Sequence, residues 1–414
     1  MDLLLTNIKG LIQTEDEPRK CVKGTYMHEL AVLENAFLFI ENGKIRDFGL
    51  MENAEQHIAQ KVDCSGRFVL PTFVDSHTHL VFAATREKEF EMRIKGATYE
   101  EIAAAGGGIL NSAMRLQQTP ENELYESARK RLHEVISLGT GAIEIKSGYG
   151  LSLEAELKML RVIRRLKEKS PIPIKATFLG AHAFPAVFKQ HHDRYIGIII
   201  KDMLPQIAEE GLADYMDVFC ERNYFSPEET ARLLVAGLEH GLKPKIHVNQ
   251  FSTSGGIKVA VEHKAVSVDH LEVLADEDLE ALRGSGTIAT LLPSCSFFLG
   301  LDYAPARRLM EADVPVALAT DYNPGSTPSG NMPFVVSLAC LRMKMTPAEA
   351  INAATLNGAA ALEIQHKVGS ISRGKLANVI ITRKMDSLAY LPYAFGSGHN
   401  TVETVILNGK VWEE

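Results

Sequence analysis

The stretch Phe68-Val-Leu-Pro-Thr-Phe-Val-Asp-Ser-His77-Thr-His79-Leu-Val-Phe82 constrains this chain more than any other. Its apolar run reads as a fully buried strand, and it ends in two histidines two residues apart. Alternation along a strand points both imidazoles to the same side, where they can meet at a divalent metal. A lone His-x-His is common, and a histidine beside apolar residues is ordinarily a hydrogen-bonded core residue. Here Pro71, Asp75 and the β-rich run place the pair where a parallel strand would finish, and α/β folds carry their chemistry at such ends.

The rest of the chain supplies a frame for that strand. With 414 residues, 46% of them hydrophobic, it can bury one large domain and a smaller one. A formal net charge of -8 and the lack of any Lys/Arg run argue against nucleic-acid binding and against a basic membrane patch. The N-terminus lacks the layout of a signal peptide and no apolar run reaches roughly 18 residues, so a cytoplasmic protein is expected. Cys21, Cys64, Cys220, Cys295 and Cys340 are scattered and lack CxxC spacing. They are expected as buried, reduced thiols rather than disulfides or a structural zinc site.

Residues 1–65 read as short strands, with a hairpin turn at Asn42-Gly43. The strand-like runs of 366–414, with a second Asn-Gly at Asn408-Gly409, repeat the style. Neither set can make a stable sheet alone, so the two ends are expected to pair into one composite β domain. Between them, over 66–365, strands alternate with helices. After the opening strand come 141–146, 174–179, 215–220, 245–248, 265–268, 287–292 and 314–319, giving eight in all. Ser226-Pro-Glu-Glu229 and Thr346-Pro-Ala-Glu349 are capping boxes that start two of the helices. Eight β/α units favour an α/β fold of the closed (β/α)8, TIM-like kind over an open doubly wound sheet.

Most of the strand ends carry a group able to ligate a metal or move a proton: His77 and His79, His182, Glu221, His247 to Gln250, Asp269 with His270, and Asp321 to Ser326. Chance would give mostly Gly, Asn or Ser turns, so these residues point to one site on one face. His77, His79, His247 and Asp321 suit a single divalent metal, zinc or iron, with a position left for water. His182 and His270 on the same rim are either acid/base groups or orienting groups. His133, His191, His192, His240 and His263 fall in helical or surface patterns and are expected on solvated faces. Lys146 lies on the second strand and Cys220-Glu221 ends the fourth, where a bridging lysine would be needed for two metals.

The Pro-x-Phe-Val-Asp-x-His-Thr-His strand, His247, His270, Asp321 and the terminal strands together resemble the amidohydrolase superfamily over essentially the whole chain. Sharper motifs resemble one family within it, which hydrolyses the cyclic amide of 4-imidazolone-5-propanoate to N-formimidoyl-L-glutamate in histidine degradation. Those motifs are 85–90, 105–109, Lys146-Ser-Gly-Tyr-Gly-Leu151, 177–182 and 319–326. The resemblance implies a (β/α)8 barrel with a small β-sandwich from both termini, commonly a homodimer. It implies substrate contacts from Arg86, Tyr149, His182, Gln250, Asn323, Gly325 and Ser326, with Arg86 gripping the propionate. A metal-held hydroxide would add to the ring carbonyl, with Asp321, His270 and His182 as the acid/base groups. The strand-five loop reads His247-Val248-Asn249-Gln250 where family members often have His-Ala-Asp followed by Gln or Glu. A heterocycle deaminase on the same scaffold is the nearest rival, and it would need a glutamate where Gln250 stands. A non-catalytic binding protein is the other rival, and it would be expected to have lost metal ligands.

Overall fold

The computed structural model describes residues 2–54, 60–97, 101, 107–395 and 401–413. Eight parallel strands follow one another in chain order: Phe73–Asp75, Thr140–Lys146, Ile174–Ala181, Tyr215–Cys220, Lys243–Val248, Ser267–His270, Ile288–Leu291 and Val316–Leu318. Helices run between them, so each connection is a β/α crossover and the strands curl toward a barrel. The seam between last and first strands is held by the Thr78–Tyr322 bridge and by the N–H groups of Asp321 and His79, which donate to the carbonyls of His77 and Tyr322. Asp75 adds to it, accepting the Thr320 backbone N–H at 3.0 Å and its hydroxyl at 2.6 Å. The segments carrying His77, His79 and Asp321 are thus stitched to each other directly.

The opening apolar run is divided between two sheets. Phe68–Pro71 pairs with Leu3–Ile12 on one side and Val379–Thr382 on the other, and only Phe73–Asp75 enters the barrel. The break falls at Thr72, whose side chain packs so close to Gly141 that a Cβ there would lie 1.9 Å from the hydroxyl. The terminal strands form one hydrogen-bonded sheet of eight, in which Leu3–Ile12 divides its pairing between Gln60–Asp63 and Phe68–Pro71. Leu5, Ile8, Leu38, Ile40, Val379 and Ile406 make its own core.

Local signals act as their residue types dictate. Ser226 and Thr346 accept the N–H groups of Glu229 and Glu349, whose carboxylates return the bond, and helices Pro227–Glu239 and Pro347–Ala354 begin there. The helix Glu121–Ser137 stops before Gly139, at φ 103°. The cysteines are free, with Cys64, Cys220 and Cys295 buried and Cys21 and Cys340 half-buried. Two of the histidines expected on solvated faces are packed instead. His192 stacks on Phe184 and bonds Glu229, and His133 meets Trp412 edge to face.

Candidate metal centre and cavity

At the C-terminal end of the barrel, His77, His79 and His247 bring ring nitrogens within 4.8 Å of one another, all three side chains buried. His247 Nε2 lies 3.3 Å from His79 Nε2, and Asp321 Oδ1 lies 3.6 Å from the Nε2 of both His77 and His79. Bonds of ~2.0–2.2 Å at tetrahedral angles put ligand atoms ~3.4 Å apart, so the spacing fits one small cation. Two further observations agree. His77 Nε2 is buried with no hydrogen-bond partner, and the opposite nitrogens of His77 and His247 are fixed by Asp269 Oδ2 at 2.6 Å and Asp217 Oδ2 at 2.9 Å. Each carboxylate holds the Nδ1–H tautomer and leaves a lone pair facing inward. Burial, with Lys146 next for His77 and His182 next for His79, lowers the pKa of both rings well below the ordinary histidine value. Both imidazoles are thus kept neutral, the form in which a histidine can bind a metal.

Beneath these pairs lies a layer of buried charge. Lys146 Nζ bonds Asp217 Oδ2 and Glu144 Oε1, each at 2.8 Å, and stands 3.5 Å from Asp269 Oδ2. Lys245 closes the layer on Glu144 Oε2 at 2.5 Å and on the Ser76 carbonyl. Lys146 thus serves as a counter-ion inside the barrel. The carboxylates raise its pKa against the opposing effect of burial.

The same mouth opens into a cavity of about 340 Å³ lined by His79, Arg86, Tyr149, His182, His247, Gln250, His270, Asp321, Asn323, Gly325 and Ser326. All seven residues expected to touch substrate are therefore brought together. His270 ends its strand at φ 91° and Asp321 follows its own at φ 57°. Such backbone is costly for non-glycine residues, persists only where neighbours enforce it, and clusters at functional sites. Asn249 also sits in the left-handed region, at φ 56°, which asparagine tolerates. Its amide bonds Asp278 and Ser254, away from the cavity.

Several expected groups have structural partners. Asn323 Oδ1 accepts the N–H groups of Gly325 and Ser326, both at 2.8 Å, and so shapes the turn that the cavity uses. Glu221, one of the candidate mouth groups, accepts the N–H of Phe251 and Ser252 and organises the strand-five loop. Glu156 does the same for the second strand's loop, accepting from Gly148, Gly150 and Leu151 and thereby fixing Tyr149. Gln250 Nε2 lies 3.4 Å from Cys295 Sγ. Within the 105–109 motif, Ala105 and Gly106 lie outside the described residues.

The two rim histidines differ. His182 gives its Nδ1–H to the Gly148 carbonyl at 3.1 Å, and burial, then His247, push its pKa down to about 3. His270 Nδ1 faces Glu272 Oε1 at 3.4 Å, and that carboxylate raises its pKa although burial opposes it. His182 is a neutral acceptor, whereas His270 takes up a proton more easily than an ordinary histidine. The residues that sequence reasoning missed are Glu272, Cys295, Glu89 and Arg93. Arg86 donates Nε and Nη2 to Glu89 Oε2 at 2.9 and 2.5 Å, and Arg93 lines the same cavity.

The chain is matched by the model of the amidohydrolase family over residues 68–412. It is 58% identical over 412 residues to an imidazolonepropionase of Christiangramia forsetii, covering 99% of this chain and 100% of that protein. It is 56% identical over 412 residues to an imidazolonepropionase of Flavobacterium johnsoniae, with the same coverage. The solved 5-methylcytosine deaminase of Klebsiella pneumoniae superposes with a TM-score of 0.75 at 17% identity, covering 100% of this chain and 98% of that one, a likeness that bears on the fold alone.

Proposed function

The chain belongs to the amidohydrolase family, among its imidazolonepropionases, and we propose that its cavity carries out the hydrolysis of 4-imidazolone-5-propanoate to N-formimidoyl-L-glutamate. The observation that carries this reading is the convergence of four inward-facing donors, His77, His79, His247 and Asp321, on a cavity that also holds Arg86. Those four would hold one divalent metal, zinc or iron, which polarises the ring carbonyl and makes water nucleophilic at neutral pH.

The protein's own groups do the rest. Asp321 takes the proton that the attacking water loses, and afterwards returns it to the ring nitrogen as the acyl carbon–nitrogen bond breaks. His270, whose pKa Glu272 raises against the effect of burial, donates to the carbonyl oxygen as the carbon turns tetrahedral. Neutral His182 accepts from a ring N–H through Nε2, and Tyr149, whose pKa burial raises, remains a hydroxyl donor beside it. The propionate lies at the Arg86 end, beside the Asn323–Ser326 turn. Gly325 leaves room there for the guanidinium, since a Cβ would lie 2.3 Å from Arg86 Nη1 and push it aside.

A homodimer in the cytoplasm completes the proposal, on the family resemblance; no described helix is long and apolar enough to cross a membrane. The test is metal analysis of the purified protein joined to an assay for loss of imidazolone absorbance. One equivalent of zinc or iron with turnover is expected, and metal-loaded protein that leaves the imidazolone unchanged would overturn the reading.

A further inference from the structure

We propose that Arg93, rather than Arg86 alone, supplies the positive charge that selects an anionic substrate in this cavity, an inference that rests on the function proposed above. Arg93 lies on the helix Glu87–Ile94, seven residues beyond Arg86. Arg86 caps the start of that helix, and both side chains line the cavity.

The two guanidiniums differ in how they are satisfied. Arg86 is paired twice with Glu89 Oε2, and Glu89 Oε1 is held by the Gly108 N–H at 3.0 Å. Arg93 Nη1 is buried with no hydrogen-bond partner, while its guanidinium carbon lies 5.8 Å from the centre of the Phe298 ring. Among the described residues, Glu89 thus spends its carboxylate on Arg86 and Gly108, with no hydrogen bond to Arg93 Nη1. A buried charged donor left unpaired is costly, and a carboxylate entering beside Arg93 removes that cost. Burial, and then the charge of Arg86, lower the pKa of Arg93, as expected for a cation awaiting its counter-ion. The walls nearby, Ile109, Leu299 and Leu301, are apolar and suit a short methylene arm. The ligand chemistry is thus a heterocycle bearing a carboxylate on a flexible tether.

The experiment compares Arg93→Gln and Arg93→Lys with wild type on the carboxylate substrate and on its propanamide analogue, in metal-loaded enzyme. A charge-assisted contact is worth on the order of 10- to 100-fold, so Arg93→Gln is expected to raise KM for the carboxylate by that factor, with most of the loss in KM rather than kcat. The amide should change less than about threefold, and Arg93→Lys should recover part of the loss. Equal losses on both substrates, or no loss on the carboxylate, overturn the inference. Should Arg93→Gln not fold, Glu89→Gln gives the second arm: releasing Arg86 adds positive charge and should lower KM for the carboxylate only, and a rise on both substrates counts against it. If wild type turns over neither compound, the proposed function fails. The role of Arg93 is then read by calorimetry, as preferential binding of 3-(imidazol-4-yl)propanoate over its amide that Arg93→Gln abolishes; equal binding of the two overturns it.

Discussion

The ammonium of Lys146 lies 2.8 Å from Asp217 Oδ2, the same oxygen that accepts Nδ1–H of His247 at 2.9 Å. On its other side Lys146 stands 3.5 Å from Asp269 Oδ2, which holds His77 at 2.6 Å. One buried cation therefore underlies two carboxylate–histidine pairs. Five buried charges are a poor way to stabilise a barrel, since desolvation can outweigh their attraction. Their position argues instead for fixing ligand orientation.

Lys146→Met should lower unfolding stability by roughly 3–5 kcal/mol, because it leaves Asp217 and Asp269 uncompensated. It should also weaken metal binding on the order of 10- to 100-fold. Urea unfolding and chelator competition with Zn(II) measure the two effects. A folded variant with unchanged Zn(II) affinity would break the link between Lys146 and the ligand set.

His182 gives a pH prediction. Its pKa falls from 6.5 in the unfolded chain to about 3 in the fold. Between those values the unfolded state binds the extra proton, so stability declines as pH falls from about 6.5 toward 3. One group contributes a slope of up to ~1.4 kcal/mol per pH unit. In metal-free protein unfolded by urea at pH 7, 6 and 5, His182→Gln should flatten the decline by up to that amount, and parallel slopes would contradict a neutral His182.

Gln250 bears on the choice between hydrolysis and deamination. An amide cannot carry protons, and its Nε2 points at Cys295. Gln250→Glu is expected to change KM more than kcat and to produce no ammonia from an aminoimidazole or aminopyrimidine. A large fall in kcat at constant KM would place Gln250 in the transition state instead.

Much of this could be read from residue order. His77, His79, His247 and Asp321 stand just past apolar strands, and a polar residue at that point has few structural reasons to be there. Lys146 was legible as a strand residue and Asp269 as a strand-end group, while Glu144 and Asp217 left a further signal by interrupting apolar strands at buried positions. Asn323 and Glu156 hold chemically capable groups that their loops consume, and only three-dimensional hydrogen bonding reveals that. Arg93 and Glu89 were hidden in a charged helix whose sequence looks like any solvated one. Which of its faces turns to the cavity is set by tertiary packing. The split at Thr72 was invisible for a related reason, because Phe68–Pro71 and Phe73–Asp75 are equally apolar and differ only in the sheet that receives them.

Replacing His247 with Ala removes one of four donors and leaves Asp217 without its imidazole partner, while the barrel core that supports the strand is untouched. The decisive measurement is metal content and imidazolone turnover of His247→Ala beside wild type, with circular dichroism to establish folding. A folded variant that has lost both metal and turnover is the predicted result. A folded variant with one full equivalent of metal and wild-type turnover would contradict the assignment of the centre.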